Sequence, residues 1–412
     1  AVRTALDELI DELCEQAGAE RGEILEIVLV GNPIMHHIVA GIDPTPLGQA
    51  PFTLATAEAI SVRAEQFDLA CPNAQVYLAP CIAGHVGADT AAVILSEGPH
   101  RSATTQLLVD VGTNAEIVLG DQHRQFAASS PTGPAFEGAQ LSCGQRATAG
   151  AIERVRIDRT TLEPRIKVIG SDLWSDEPGF AESVESLDIS GICGSGIIEV
   201  IGEMYLAGII DQDGVVQGHL AARSPRIIED GRTFSYVVHE ADGVRLRITQ
   251  NDVRAIQLAK AALRAGIALL MQHAGLTELD DIRLAGAFGS HIDVKYATVL
   301  GMIPDCNLDN VASAGNAAGT GARIALLDSR SRATIEGLVS RVEKIETAIE
   351  PKFQDHFVEA MAIPHKTAAY PNLTKVVELP APKVVAAPAE GGGARRPGRR
   401  PRRRSAGRSR PG

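Results

Sequence analysis

The residue of this 412-residue sequence whose chemistry is hardest to set aside is Asp110, which follows the apolar run Leu107-Leu108-Val109 and precedes Gly112-Thr113-Asn114. An acid at the end of a buried strand is costly unless it meets a cation or hydrogen-bond donors. At this place it can hold magnesium, usually through water, while Gly112, Thr113 and Asn114 approach phosphate. The plainer alternative is that Asp110 caps the turn. Three more glycine-rich turns stand at residues 191–196, 284–289 and 315–321, and they include Gly194, Ser195, Gly196, Gly286 and Gly289. Glycine permits close backbone approach, and a helix N-terminus offers free N–H groups and a positive dipole end to phosphate. One such turn is weak evidence, because glycine also ends strands for structural reasons. Four of them, with an acid in the first, point to a nucleotide site.

Other residues carry weaker signals. Glu137, in Gly133-Pro134-Ala135-Phe136-Glu137-Gly138, can orient an attacking water, coordinate magnesium, or cap a turn. Lys260 and Arg264 share one face of a helix, where a solvated charge pair is the plain reading and a nucleotide contact the sharper one. His36 and His37 are neighbours, so on a helix they point about 100° apart and chelate one metal poorly. Cys193 has no partner base nearby and reads as a small apolar filler. Neither GxxxxGK[ST] nor a GxGxxG after a first strand occurs, which weakens P-loop and Rossmann readings.

The elements that must position these residues follow from hydrophobic period. Helices are expected at 2–18, 35–39, 88–95, 196–207, 252–274 and 317–327, and strands at 24–30, 76–78, 107–111, 115–119 and 282–285. Thr249 with Asp252 forms a capping box for the 252–274 helix. Strands followed by helices imply an α/β protein with a mainly parallel sheet. From about Lys375 the chain becomes Pro/Ala-, then Gly-, then Arg-rich and is expected to be disordered. The expected divisions are 1–103, 104–372 and a tail at 373–412.

Composition fits this picture, with 45% hydrophobic, 22% charged and only 4% aromatic residues. The net charge of −12 conceals nine arginines and no acid in residues 391–412, so the other 390 residues sum to about −21. That acidic body is not expected to bind nucleic acid, and the arginine run reads as a flexible electrostatic tether. No uncharged stretch is long enough to span a bilayer, so no membrane contact is expected. The first residues, Ala1-Val2-Arg3-Thr4, lack both an initiator Met and a signal-peptide pattern, so Ala1 is not taken as the start of the gene product. The six cysteines form no CxxC and are read as reduced thiols of a cytoplasmic protein.

With these residues in place a resemblance emerges. The run at 109–118 looks like a phosphate motif of the ASKHA superfamily (acetate and sugar kinases, heat-shock chaperones, actin), and 284–289 resembles its adenosine motif. More specifically, Val30-Gly31-Asn32 with Met35-His36-His37, the run at 133–138, Gly191-Ile192-Cys193-Gly194-Ser195-Gly196, Gln257-Leu258-Ala259-Lys260-Ala261 and Gly315-Asn316-Ala317-Ala318-Gly319 resemble the reductive activators of corrinoid proteins. The matches run in order from about residue 5 to residue 365.

The resemblance implies a two-lobed ASKHA fold, actin-like and ribonuclease-H-like, with its first lobe incomplete here. It implies ATP and magnesium in the cleft and a corrinoid protein as partner, taken from cobalt(II) to cobalt(I). Electrons would come from a ferredoxin-type 2Fe–2S domain in cis, and a homodimer is admitted. It also implies that Lys260 lies beside adenine. The chain departs from the family in having no CxxxxCxxC run and no first phosphate hairpin, so the ATP site is half missing and the fragment is expected to be inactive. Two competing readings share the fold. They are a sugar or small-molecule kinase and an activator of 2-hydroxyacyl-CoA dehydratases.

Overall fold

The computed structural model describes residues 1–381 apart from Asp242 and residues 287–291. Helix α1 (Val2–Ala17) turns Leu6 and Ile10 toward Val39, Phe67 and Val76, and stops at Gly18 in the left-handed conformation. Strand β1 (Glu26–Leu29) leads to α2 (Pro33–Ala40), where Asn32 Oδ1 accepts the Met35 amide at 2.9 Å and Pro33 occupies the first turn. Strands β2 (Ile60–Arg63) and β3 (Gln75–Leu78) complete a sheet ordered β1-β3-β2, parallel between β1 and β3 and antiparallel between β3 and β2. Helix α3 (Ala88–Glu97) follows.

The larger sheet begins with an antiparallel meander of β4 (Gln106–Val111), β5 (Ala115–Gly120) and β6 (Gln125–Ser130). A two-stranded ribbon, β7 (Ile152–Ile157) with β8 (Pro164–Val168), precedes the short α4 (Phe180–Ser183) and the wholly buried α5 (Gly194–Leu206). Next come the antiparallel β9 (Ile227–Asp230), β10 (Thr233–Ala241) and β11 (Val244–Ile248), then the long α6 (Gln250–Ala274) behind its Thr249–Asp252 capping box. The chain finishes with β12 (Asp281–Ala285), α7 (Val294–Leu300), β13 (Val311–Gly315), α8 (Ala317–Leu327), α9 (Ser329–Val339), β14 (Glu343–Lys344) and α10 (Phe353–Ala360).

The six strands order as β13-β12-β4-β5-β6-β14. Three of the sheet's five pairings are parallel, as expected, and the other two are antiparallel, because residues 112–114 are too few for a crossover and must return β5 antiparallel to β4. Side chains alternate between its faces. Leu107, Val109 and Val111 pack with Ile256, Leu263 and Ile267 of α6, whereas Leu108 and Val118 pack with Val93 and Ile94 of α3. Each such side chain, once fully buried, contributes about 1.5–3 kcal/mol.

Packing extends beyond the boundary expected at residue 372. Asp305 accepts from the Asn372 amide at 2.9 Å and the Leu373 amide at 3.0 Å, and Leu373 is fully buried. The arginine-rich run lies outside the described residues. Among the described residues, no helix is long and apolar enough to cross a membrane.

Candidate functional site

The strand register decides where the acids go. Asp110 pairs with Ala285 of β12 on one side and with Glu116 of β5 on the other, and Ala285 in turn pairs with Gly315 of β13. Cross-strand partners share a face, so Asp110 and Glu116 stand side by side on the face that meets α3. The first turn of α3 places Asp89 against them. Three carboxylates thus face one another at the carboxyl ends of β4, β12 and β13, the position where α/β sheets bind ligands.

Their protonation reflects this crowding. Burial, and then the Asp89 charge, push the Asp110 carboxyl up to about 6. Burial, with Asp89 and Asp110, pushes Glu116 up to about 8, partly offset by a hydrogen bond from Ser129 Oγ. Burial raises Asp89 as well, despite the Thr90 amide donating to it at 2.8 Å. Asp110 itself accepts no hydrogen bond from the described residues. Its acceptor capacity is free for a cation or for the water around one.

Two glycine turns close over Asp110. Gly286 has φ +96°, and its amide donates to Gly315 O at 2.9 Å. A Cβ there would lie 2.7 Å from both Asp110 Oδ1 and Val111 O. Only glycine fits this cradle. On the other side, Thr132 Oγ1 donates to the carbonyls of Gly112 and Thr113 at 3.0 and 3.1 Å, fixing the hairpin turn beside Gly133. The exposed Glu137 accepts from Thr113 Oγ1 at 2.9 Å. A cavity of about 430 Å³ opens next to the hairpin tip, lined by Asn114, His85, Ser129, Glu346 and Phe353.

The expected site residues therefore fall into two sets. Asp110, Gly112, Thr113, Asn114, Gly133, Glu137 and Gly286 come together, and Gly289 lies outside the described residues. Gly194, Ser195 and Gly196 do not join them in an open turn. All three are buried, and a Cβ on Gly196 would lie 2.5 Å from Ile152 O, so tight packing of α5 on β7 accounts for that glycine. Lys260 is 1% exposed rather than solvated. Its Nζ donates to Ala362 O and Pro364 O, and desolvation, with the Arg264 charge, holds it well below the usual amine range. His36 and His37 are likewise buried, and the Ala55 amide donates to His37 Nε2 at 3.1 Å.

Asp89 and Glu116 are the acids that the sequence reading passed over. A lone acid at the start of an apolar helix, and an acid within an alternating strand, are ordinary features. Strand register brings Glu116 to Asp110, and the packing of α3 on the sheet brings Asp89.

The donor set suits a hydrated divalent cation beside phosphate. Among the described residues no three His, Cys, Asp or Glu side chains converge closely enough to hold a bare ion, so contact through water is the fitting mode. The cysteines do not fit a 2Fe–2S cluster, because all six are unpaired and none joins such a group.

Comparison with known proteins identifies the family. Residues 1–102 match the RACo middle region, and residues 104–374 match the C-terminal domain of RACo, the ASKHA domain. The chain is 35% identical over 371 residues to the corrinoid activation enzyme RamQ of Eubacterium limosum, covering 87% of this chain and 59% of that protein. It is 27% identical over 241 residues to the [Co(II) methylated amine-specific corrinoid protein] reductase of Methanosarcina barkeri, covering 56% of this chain and 41% of the relative. A solved reductive activator for corrinoid, iron–sulfur protein superposes with a TM-score of 0.76 at 31% identity, over 88% of this chain and 56% of the other. The chain spans a little over half the length of RamQ and of the solved activator. With the ASKHA-domain match alone spanning more than half of its residues, the chain belongs to the RACo family of corrinoid reductive activators.

Proposed function

We propose that this chain is the nucleotide-binding part of an ATP-dependent activator that returns a corrinoid protein from cobalt(II) to cobalt(I). The observation that carries the reading is the meeting of Asp110, Glu116 and Asp89 between the Gly112 and Gly286 turns. Magnesium-ATP, when bound, supplies the free energy that favours one arrangement of the protein over another. Gly112, Thr113 and Asn114 approach the phosphates, Asp110 holds the hydrated cation, and Glu137 orients water through its contact with Thr113. Electrons reach the corrinoid from a ferredoxin-type 2Fe–2S domain in cis, since the cysteines of this chain do not fit a cluster. The free thiols suit a cytoplasmic setting.

Calorimetry with ATP tests this reading. Full-length protein should bind ATP in the micromolar range and only with magnesium present. Residues 1–412 alone should bind weakly or not at all, because only one phosphate hairpin is in this sequence. Absence of binding in the full-length protein overturns the reading. Micromolar binding by the isolated chain would mean that the Asp110 hairpin suffices alone.

A further inference from the structure

Of the three clustered carboxylates, Asp89 is the one that does not come from the larger sheet, and its surroundings tie it to a distant element. The amides of Ala88 and Asp89 both donate to Gly31 O, at 3.0 and 3.3 Å. Gly31 and Asn32 form the turn that starts α2, with the Asn32 carboxamide capping that helix and Asn32 O accepting the His36 amide. Clearance at this joint is minimal. A Cβ on Gly87 would lie 2.6 Å from both Asp89 Oδ1 and Gly31 O and 2.7 Å from the Asn32 Cα. Farther along α3, a Cβ on Gly321 of α8 would lie 2.0 Å from Ala92 O, so the helix is wedged on that side too. A displacement of Asp89 must therefore carry the Gly31–Asn32 turn with it.

The element at the far end of this connection is poorly satisfied where it stands. Both ring nitrogens of His36 and Nδ1 of His37 are buried without a hydrogen-bond partner among the described residues, an unfavourable state for polar groups. The outward face of α2 instead carries Ile34, Met35 and Ile38, which are 48%, 56% and 41% exposed. Its inner face thus buries two histidines beside Pro33 and Val39, while three apolar side chains face outward.

We propose that Asp89 is a positioning residue that couples occupancy of the Asp110–Glu116 site to the placement of α2. Positive charge arriving between Asp110 and Glu116 draws the Asp89 carboxylate toward it, and the Gly87–Gly31 joint passes that movement to α2. The proposal rests on the nucleotide reading above and deepens it, because it names the part of the chain that answers to the bound state.

The test is amide hydrogen exchange by mass spectrometry on the full-length protein, with magnesium alone and with magnesium plus ATP. In the wild type, ATP should slow exchange in the 110–116 hairpin and change it by about threefold or more in residues 31–41. Asp89→Asn, compared with the wild type at an ATP concentration that gives each hairpin its full response, should lose the 31–41 response. Asp89→Glu, which keeps the charge, should restore part of it. Unchanged exchange at α5 in each variant confirms that the core remains folded. An undiminished 31–41 response in Asp89→Asn overturns the coupling alone. A wild-type hairpin that ignores ATP overturns the nucleotide reading and the coupling together.

Discussion

In the larger sheet β12 lies between β13 and β4, whereas in the smaller sheet β1 lies beside β3 alone. Both sheets contain a parallel pair whose second strand feeds a helix. β13 leads to α8, β3 leads to α3, and these two helices cross at Gly321 and Ala92. The difference is the strand on the far side of the pair. Beside β12 stands β4 with Asp110 and its glycine turn, and three of the five residues of β12 are buried. On the side of β1 away from β3 no strand pairs among the described residues, and none of the four residues of β1 is buried. Only in the larger sheet, among the described residues, does a hairpin strand bring an acid to the carboxyl end of the pair, with a glycine that lets the backbone close over it.

The strongest way to break this comparison is to fill the cradle. Gly286→Val puts a β-branched side chain at φ +96° and against Asp110 Oδ1. It should abolish ATP binding and lower stability by about 2–4 kcal/mol, read by calorimetry and urea unfolding. ATP-dependent cobalt reduction should fall with it, while reduction of the 2Fe–2S domain stays unchanged. Retained ATP affinity would show that the Gly286 turn does not border the nucleotide.

Removing the charge while keeping the shape separates chemistry from fold. Asp110→Asn in the full-length protein should lower magnesium-dependent ATP turnover by about 100-fold or more. Its thermal midpoint should not fall, because the free carboxylate is destabilised by burial and by Asp89. Unchanged turnover would reduce Asp110 to a turn residue.

Lys260 sharpens the boundary of the site. In Lys260→Met the carbonyls of Ala362 and Pro364 lose their donor, so stability should fall by about 1–3 kcal/mol with ATP affinity little changed. If affinity drops while stability holds, the adenine-flanking role implied by the family resemblance is the right one.

The smallest expected effect is on pH dependence. Asp110 and Glu116 have folded values raised to about 6 and about 8, above those of free carboxyls. Their contribution to stability is complete below about pH 4 and is lost as pH rises toward 8. Glu116→Gln should flatten that decline and, at pH 8, raise the melting temperature by about 2 °C. Magnesium with ATP should have the same sign of effect on the wild type. A variant that melts like the wild type across this range would mean that the acids are better solvated than their packing indicates.

Much of this was legible in the sequence where a local signal sufficed. The apolar run ending at Asp110, the Thr249–Asp252 box and the Gly286 turn each state their structure within a few residues. The strands β2, β6 to β11, β13 and β14 were not anticipated. Their patterns are short or interrupted, and only pairing partners distant in sequence define them. The acid cluster was one-third legible, because Asp89 and Glu116 are unremarkable until register and helix packing bring them to Asp110. The Gly191–Gly196 turn misled for the opposite reason. At Gly196 close packing demands what phosphate approach would also demand, and the sequence does not separate the two.

The central claim is that the Asp110 site belongs to an ATP-driven reduction of a corrinoid. Its most direct test is the visible spectrum of a corrinoid protein from the same organism, mixed with the full-length activator and a chemically reduced 2Fe–2S domain. The cobalt(II) band should give way to cobalt(I) only when magnesium and ATP are added, and Asp110→Asn should abolish the change. Conversion at the same rate without ATP, or no conversion of any corrinoid protein of that organism, would contradict it.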